Sequence, residues 1–303
     1  MRLGRQQLAA LGAACAVIAA AGYLGWRRAE PPKPCAEGMV ALRDEVTHSP
    51  RCCGQGQALH AGACQGPPAS CATGMRPTPL GCVPERRRVA LPGGRLRLGN
   101  ADWEAERVLE PRDVDVAPFE LDSHEVTAAE WQPCQADSAC VARPSEPEPG
   151  RPVVNVTRGE AAALCRWRGG RLPSSAELSL AAMGSSGRRY PWGETGAVCR
   201  RAAFGLQDGP CAYGATGPEL SGSHPSGATP EGIYDLAGNV AEWTAPEPGA
   251  EAELAEVRGG SWQDPVASAL RSWNGRLVPA GTRSPAIGFR CAYPAEPSSG
   301  AGR

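Results

Sequence analysis

The chain has 303 residues, with 31 lysines and arginines against 32 aspartates and glutamates, 38 glycines, 30 prolines and 13 cysteines. This length allows one sizeable domain with smaller segments around it. The near-neutral charge, with no basic run longer than the triplet 86–88, excludes nucleic acid as a partner, and we interpret the triplet as a solvated hinge.

The N-terminus predicts a membrane anchor. Residues 8–26 carry no charge, follow two arginines and are long enough to cross a bilayer as a helix. We therefore expect residues 1–28 to be a signal anchor, with the bulk of the chain outside the cytoplasm, in a periplasm or at a cell surface. Cleavage near Ala19, which would make the protein secreted, and a buried soluble helix remain alternatives. Cys15 is interpreted as a membrane residue.

The other twelve cysteines predict disulfides, because an even number follows an export signal. Six of them lie in residues 29–85, a segment rich in glycine and proline that we call the neck. Such a segment cannot build a core of its own and needs covalent staples. Fifteen pairings are open, zinc binding is a lesser alternative, and the neck is expected to be a small interaction module or stalk. The six are Cys35, Cys52, Cys53, Cys64, Cys71 and Cys82.

A second region begins at residue 89, where apolar and polar residues alternate as in strands. Three pairs then fit the capping box that starts a helix: Thr127 with Glu130, Thr157 with Glu160, and Ser174 with Glu177. The loops 142–152 and 193–230 are long, which is typical of loops that are functional or held by disulfides or ions. Residues 294–303 are expected to be a disordered tail.

Seven segments of this region, in order, resemble one known family. They read GGRLRLGN, ELDSHEVTAAEW, RPVVNVTRGEAAALCRWRGGRLPSSAEL, RYPWGE, GIYDLAGNVAEW, VRGGSW and AIGFRCA. The resemblance is to the formylglycine-generating enzymes, or sulfatase-modifying factors, and covers residues 89–293. It implies an α+β domain of the C-type-lectin-like kind with little regular secondary structure. The best-known members oxidise a cysteine in a Cys-x-Pro-x-Arg peptide with oxygen and copper, and relatives include sulfoxide synthases and pyoverdine-maturation proteins.

The resemblance also implies a calcium site. The matching positions offer two carboxylates and two main-chain carbonyls, the hard oxygen ligands that Ca²⁺ prefers. These positions are Asp235, Gly238, Val240 and Glu242. An acidic turn that caps itself is the alternative. A second calcium site of the family needs an asparagine where this chain has Ala202, so that site is not expected.

The family alignment pairs Cys165 with Cys291, and the local spacing suggests that two further disulfides pin the long loops: Cys134 with Cys140, and Cys199 with Cys211. A second disulfide of the family would fall at Ala182 and near Asn274, where both cysteines are missing.

The catalytic cysteines of the family are absent. Two cysteines follow GGSW in the enzymes and bind copper(I), an ion that selects thiolates. Asp264 and Ala269 stand at those positions, and Ala241 replaces a tryptophan that lines the oxygen pocket. We therefore do not expect formylglycine generation. The remaining candidate cleft residues are Ser261, Trp262, Asp264, Arg271 and Arg290. Asp264 is either a polar residue of a remodelled cleft or a turn residue before Pro265.

Two functions remain open. The favoured one is a pseudoenzyme: a membrane-tethered binding or assembly domain for a peptide, glycan or partner protein, with structural calcium. Its expected contact residues are Trp243, Trp262, Trp273, Arg271 and Arg290. The alternative for the tryptophans is that they are core residues, as is common in a disulfide-rich domain. The alternative is a divergent oxidoreductase with iron or copper held by Asp264 and His124 or His224, although we expect these histidines to be solvated loop residues. A serine hydrolase built on Ser261 is discounted, because no G-x-S-x-G elbow is present.

Overall fold

The computed structural model describes residue 35 and residues 38–43, 45, 50–60, 63–79, 81–98, 112–144, 148–246 and 253–295. The predicted anchor 1–28, with Cys15, lies outside these residues. Within the described ranges, no helix is long and apolar enough to cross a membrane. The predicted tail also lies outside them, apart from residues 294 and 295.

Three α-helices follow the three predicted capping boxes. They are α1 (Ala128–Ala136), α2 (Arg158–Trp167) and α3 (Ser175–Met183), and each begins directly after its Thr or Ser cap. At α2, the Thr157 hydroxyl accepts a hydrogen bond from the amide of Glu160 at 3.3 Å, and the Glu160 carboxylate accepts one from the amide of Thr157 at 2.9 Å. All three capping boxes are confirmed, because local chemistry alone determines them.

The described residues contain fifteen short strands. Those of the neck are β1 (Met39–Arg43), β2 (Pro50–Gly54), β3 (Ala58–His60), β4 (Ala63–Gln65), β5 (Met75–Thr78) and β6 (Gly81–Pro84). The others are β7 (Arg88–Leu91), β8 (Gly94–Leu98), β9 (Arg112–Val116), β10 (Phe119–Asp122), β11 (Ala241–Trp243), β12 (Leu254–Arg258), β13 (Gly275–Pro279), β14 (Ile287–Gly288) and β15 (Ala292–Pro294). Pro294, which was predicted to open the tail, is therefore the last residue of a strand.

The neck folds as three antiparallel hairpins, β1–β2, β3–β4 and β5–β6. The structure selects one of the fifteen pairings of its cysteines: Cys35–Cys52, Cys53–Cys64 and Cys71–Cys82. Neighbouring cysteines 52 and 53 thus belong to different bonds. A segment too small for a large core is held by covalent bonds, as predicted.

Two sheets organise the larger region. One has the order β15–β10–β7, and the other has the order β13–β12–β11–β14 with β11 and β14 parallel. One buried cluster joins α1 and α2 to the second sheet, and another packs α3 against β8 to β10. Short helices, short strands and long loops make up an α+β fold with little regular secondary structure, as expected.

The three disulfides predicted in this region are present: Cys165–Cys291, Cys134–Cys140 and Cys199–Cys211. The first joins α2 to the residue before β15 across 126 positions of sequence.

The arginine triplet is exposed, as expected of a solvated segment, but its contacts do not leave it a free hinge. Arg86 donates hydrogen bonds to Asp122 and to the hydroxyl of Tyr293, Arg87 donates to the carbonyl of Gly232, and Arg88 lies 3.6 Å from the centre of the Tyr293 ring. These contacts hold the segment directly after the neck against the larger region.

Candidate functional site

The positions of the family's cysteine pair lie in the loop after β12. The carboxylate of Asp264 accepts hydrogen bonds from the amide of Ser261 at 2.7 Å and from its hydroxyl at 2.9 Å. The amide of Asp264 donates back to the carbonyl of Ser261 at 3.1 Å. This is the geometry of a side chain that closes its own turn. Ala269 lies in the 3-10 turn Ala267–Leu270 that follows.

No cysteine thiol remains for copper in the described part of the chain. The twelve cysteines there form six disulfides, and the thirteenth, Cys15, lies outside the described residues. A copper(I) site of the family's type needs a pair of thiolates. The loop 261–270 offers a carboxylate and a methyl group at the corresponding positions.

The tryptophans expected to contact a ligand are core residues. Trp243, Trp262 and Trp273 are each at most 2 % exposed. The indole of Trp243 donates to the carbonyl of Val156, and that of Trp262 donates to the carbonyl of Pro285. The expectation of a contact surface at these residues is therefore wrong, because their rings fill the interior and their polar atoms are used there.

Arg290 is also buried and holds the carboxylate of Glu242 with two parallel hydrogen bonds of 2.7 Å. Its remaining contacts are the carbonyls of Asp122 and Tyr234. Arg290 is therefore an internal partner of a buried acid and not a ligand-contact residue. Arg271 is partly exposed, and its guanidinium lies 6.0 Å from the centre of the Trp273 ring.

Glu125, Asp235 and Glu242, which we call the acidic centre, are buried carboxylates. Glu125 was missed by the sequence reasoning. Its carboxylate accepts hydrogen bonds from the hydroxyl of Ser221 at 2.8 Å, from the side-chain amide of Asn239 at 2.7 Å and from the main-chain amide of residue 240 at 3.1 Å. Its position two residues before a helix cap gave no signal that distinguishes it from a surface acid.

Burial raises the pKa of each carboxylate in the acidic centre. For Glu125 the charges of Asp235 and Glu242 raise the pKa further, well above its usual range. The charge of Arg290 lowers the pKa of Glu242 but does not offset burial. The charges of His224 and Arg290 lower the pKa of Asp235, but burial outweighs them. The raised pKa values favour the protonated form of these acids.

The residues implied as calcium ligands fit a cation in part. Asp235 has φ 55° and its carboxylate accepts the amide of Gly222 at 2.5 Å. The carbonyls of Gly238 and Val240 are buried, and no main-chain amide of the described residues donates to either. Buried carbonyls normally have a partner, so these two and Asp235 suit a hard cation. Glu242 fits less well, because Arg290 engages both of its oxygens.

The ligands of the alternative redox site do not come together. In the described part of the chain, no three His, Cys, Asp or Glu side chains are placed to hold one metal ion. His124 and His224 are buried, so the expectation of solvated loop histidines is wrong. His124 Nδ1 lies 3.1 Å from the hydroxyl of Ser123, and His224 Nε2 lies 2.6 Å from the carboxylate of Glu219.

A groove of about 890 Å³ lies elsewhere, between α1 and the segments 141–144 and 152–155. Its one aromatic lining residue, Trp131, is buried, and the guanidinium of Arg143 lies 5.6 Å from its ring centre. Arg283 and Glu160 form a two-hydrogen-bond pair at its edge. Sequence reasoning did not identify the groove, because its walls come from separate segments. The exposed members of its wall include Gln132, Val141 and Asn155.

Residues 77–295 match the family described as the Sulfatase-modifying factor enzyme 1-like domain. The chain belongs to this family. The match begins inside β5 of the neck, so the first two hairpins lie outside the sulfatase-modifying factor domain.

Two relatives place the chain within the family. It is 37 % identical over 164 residues to the inactive Cα-formylglycine-generating enzyme 2 of Bos taurus, covering 50 % of this chain and 51 % of that protein. It is 34 % identical over 182 residues to the formylglycine-generating enzyme of Mycobacterium tuberculosis, covering 50 % of this chain and 59 % of that protein. The chain thus spans little more than half the length of these curated relatives. Similarity extends to both inactive and active members.

The solved structure of PvdO from Pseudomonas aeruginosa has the same fold. It aligns with a TM-score of 0.57 and 26 % identity, covering 69 % of this chain and 94 % of PvdO. The sulfatase-modifying factor fold is therefore established for the larger region.

Proposed function

We propose that this protein is a member of the sulfatase-modifying factor family that does not generate formylglycine and serves as a binding or assembly domain. The observation that carries the proposal is the loop 261–270. Asp264 closes a turn on Ser261, Ala269 replaces the other thiol, and the cysteines of the described residues are in disulfides. Neither residue supplies the soft ligand that copper(I) requires.

The proposed location is outside the cytoplasm, tethered to a membrane by residues 8–26. Six disulfides support an oxidising compartment, where such bonds form and persist. The uncharged segment at the N-terminus supports export.

The proposed ligand is a polypeptide segment of a partner protein, bound in the groove beside α1. The groove volume of about 890 Å³ lies within the range of ligand sites. A glycan is less well supported, because sugars stack on exposed aromatic rings and the ring of Trp131 is buried. Gln132 and Asn155 offer exposed amides that can pair with a peptide main chain.

The proposed absence of formylglycine-generating activity is tested by incubating the protein with a Cys-x-Pro-x-Arg peptide, oxygen and copper. The peptide is then analysed by mass spectrometry. We expect the peptide to stay unmodified with this protein and to be converted by the Mycobacterium tuberculosis enzyme as positive control. The double variant Asp264→Cys/Ala269→Cys should gain copper(I) binding. Conversion of the peptide by the wild-type chain would overturn the proposal.

The binding role is tested by photo-crosslinking from position 132 of the full chain in its own membranes. We expect one discrete polypeptide adduct, which is lost in Val141→Asp because a charge then lies in the groove wall. Leu277→Asp is the matched control, since Leu277 is an exposed apolar residue on β13 outside the groove. No adduct, or equal loss in both variants, would count against the groove.

Calcium is proposed as a structural ion held by Asp235 and the carbonyls of Gly238 and Val240, with Glu242 as a further oxygen ligand. When bound, the ion would neutralise the surplus negative charge of the acidic centre. We expect a chelator to lower the melting temperature of the wild-type chain but not that of Asp235→Asn, a change that the left-handed backbone at this position tolerates. Equal responses of the two proteins would refute the site.

Elemental analysis of the same preparations separates this proposal from the oxidoreductase alternative. Calcium without a redox metal is the expected result. Stoichiometric iron or copper that is lost in Asp264→Ala would instead favour the oxidoreductase.

A further inference from the structure

The neck is anchored to the larger region by a buried carboxylate. Glu148 lies in the segment before α2 and is 2 % exposed. One of its oxygens accepts hydrogen bonds from Arg51 of β2 at 2.6 Å and from Arg151 at 2.5 Å. The other accepts the main-chain amide of Cys64 in β4 at 3.1 Å. Two hairpins of the neck therefore meet on one acid of the domain.

A second attachment is apolar and involves the loop 219–224. Leu220 is buried in a cluster whose other members belong to the neck. They are Met39, Ala72, Met75 and Cys82, with three further neck cysteines packed against them. The amide of the next residue, Ser221, donates to the carbonyl of Gly150 at 3.0 Å. Gly150 itself lies so close to the neck that an added Cβ would be 2.2 Å from the carbonyl oxygen of Cys82.

The opposite side of the same loop contacts the acidic centre. The hydroxyl of Ser221 donates to Glu125 at 2.8 Å, and the amide of Gly222 donates to Asp235 at 2.5 Å. The amide of Glu219 donates to the side chain of Asn239, which itself donates to Glu125. The loop thus lies between the neck and the buried carboxylates. Leu220 packs on the neck, and the next two residues donate to the carboxylates.

We propose that the neck is a positioning module, which holds the loop 219–224 against Glu125 and Asp235 and thereby sets the affinity for Ca²⁺ of the calcium site proposed at Asp235. The positioning follows from the contacts of Glu148 and Leu220. The effect on affinity rests on the calcium site proposed above. A neck detached from the loop would free Ser221 and Gly222 from their places beside the two acids.

Hydrogen exchange of the full chain without calcium tests the positioning. In Leu220→Ser we expect exchange at the amides of Gly222 and Val240 to be about tenfold faster, with α2 unchanged. Glu148→Gln, which keeps the shape of the side chain and removes its charge, should act in the same direction. Glu253→Gln changes an exposed acid in the same manner and serves as control. Faster exchange confined to the neck, or equal acceleration in α2, would overturn the proposal.

Calorimetric titration with Ca²⁺ tests the affinity. We expect Glu148→Gln to bind about tenfold more weakly than the wild type and Glu253→Gln to bind equally well. Unchanged affinity in Glu148→Gln, together with faster exchange at Gly222, would overturn the effect on affinity. If the wild-type chain binds no Ca²⁺, the calcium site itself fails, while the exchange experiment still decides whether the neck positions the loop.

Discussion

Asp264 shows how a single position can lose one chemistry and keep the local fold. A carboxylate three residues after Ser261 can accept both the amide and the hydroxyl of that serine, and it does so at 2.7 and 2.9 Å. The turn is thereby stabilised without a metal ligand. The retained GGSW motif indicates the family, whereas the residues after it determine whether thiol chemistry is available.

Buried charges are paired by residues that are distant in sequence. Glu130 caps α1 and also lies 3.3 Å from Arg168 and 3.7 Å from His124. Burial alone raises the pKa of Glu130, but its interaction with His124, the charge of Arg168 and the hydrogen bond from the amide of Thr127 lower it to about 2. The depressed pKa means that the ionised carboxylate stabilises the folded state.

Acid should therefore weaken the fold through Glu130. Its pKa is near 4.5 when unfolded and about 2 when folded, so the contribution is present above about pH 4.5 and is lost as pH falls towards 2. We expect this group to account for a loss on the order of 3 kcal/mol of unfolding free energy over that interval. Denaturant titrations at about pH 5, 4, 3 and 2 would measure it.

The variant Glu130→Gln should lose less stability between those pH values than the wild type, although it is less stable at neutral pH. Glu253→Gln, at an exposed site, should follow the wild type. If the free energy of unfolding fell equally with pH in Glu130→Gln and in the wild type, Glu130 would not be the group responsible.

Helix starts are the elements that local sequence predicts best here. A hydroxyl followed three residues later by a glutamate satisfies two amides at once, and this works in any tertiary setting. The burial of a helix, in contrast, is not predicted by its local sequence. In α3, eight of nine residues are buried, and no sequence periodicity indicates that, because a short helix that is apolar on most faces has no single buried stripe.

The N-cap of α2 is expected to make a measurable contribution to the free energy of unfolding. Thr157→Ala removes the hydroxyl that accepts the amide of Glu160, and we expect it to lower the free energy of unfolding by about 1 kcal/mol. Thr157→Ser keeps the hydroxyl and should cost less. Equal losses in denaturant titrations of the two variants would indicate that the methyl group, and not the cap, is responsible.

The neck and the larger region contact each other through specific residues. Glu148 and Leu220 provide a polar and an apolar contact between them, and Arg86 to Arg88 fix the segment that follows the neck on the larger region. A stalk of separate hairpins would leave these groups in water. The neck thus packs on the domain, and its role as an interaction module stays a prediction.

The disulfides provide a test of how the whole chain is constrained. Cys165–Cys291 spans 126 positions and Cys134–Cys140 spans 6. Since loop-closure entropy grows with length, removing the first as a double alanine variant should cost about 5 kcal/mol and removing the second about 2 kcal/mol. Denaturant unfolding of both variants measures the difference. A larger loss from the short bridge would show that native packing around Cys134, and not chain entropy, dominates.

The sequence by itself determined the family, the three capping boxes, the three disulfides of the larger region and the absence of the thiol pair. Each depends on residue type at short spacing or on motifs kept in order. Only the tertiary structure decided the pairing in the neck, the burial of Trp243, Trp262 and Trp273, and the role of Glu125. Burial and charge pairing depend on which distant segments meet, since Glu125 is surrounded by residues from 221 to 240. Local sequence patterns carry no information about these tertiary contacts, because the free energy of a buried charge is set by its spatial neighbours.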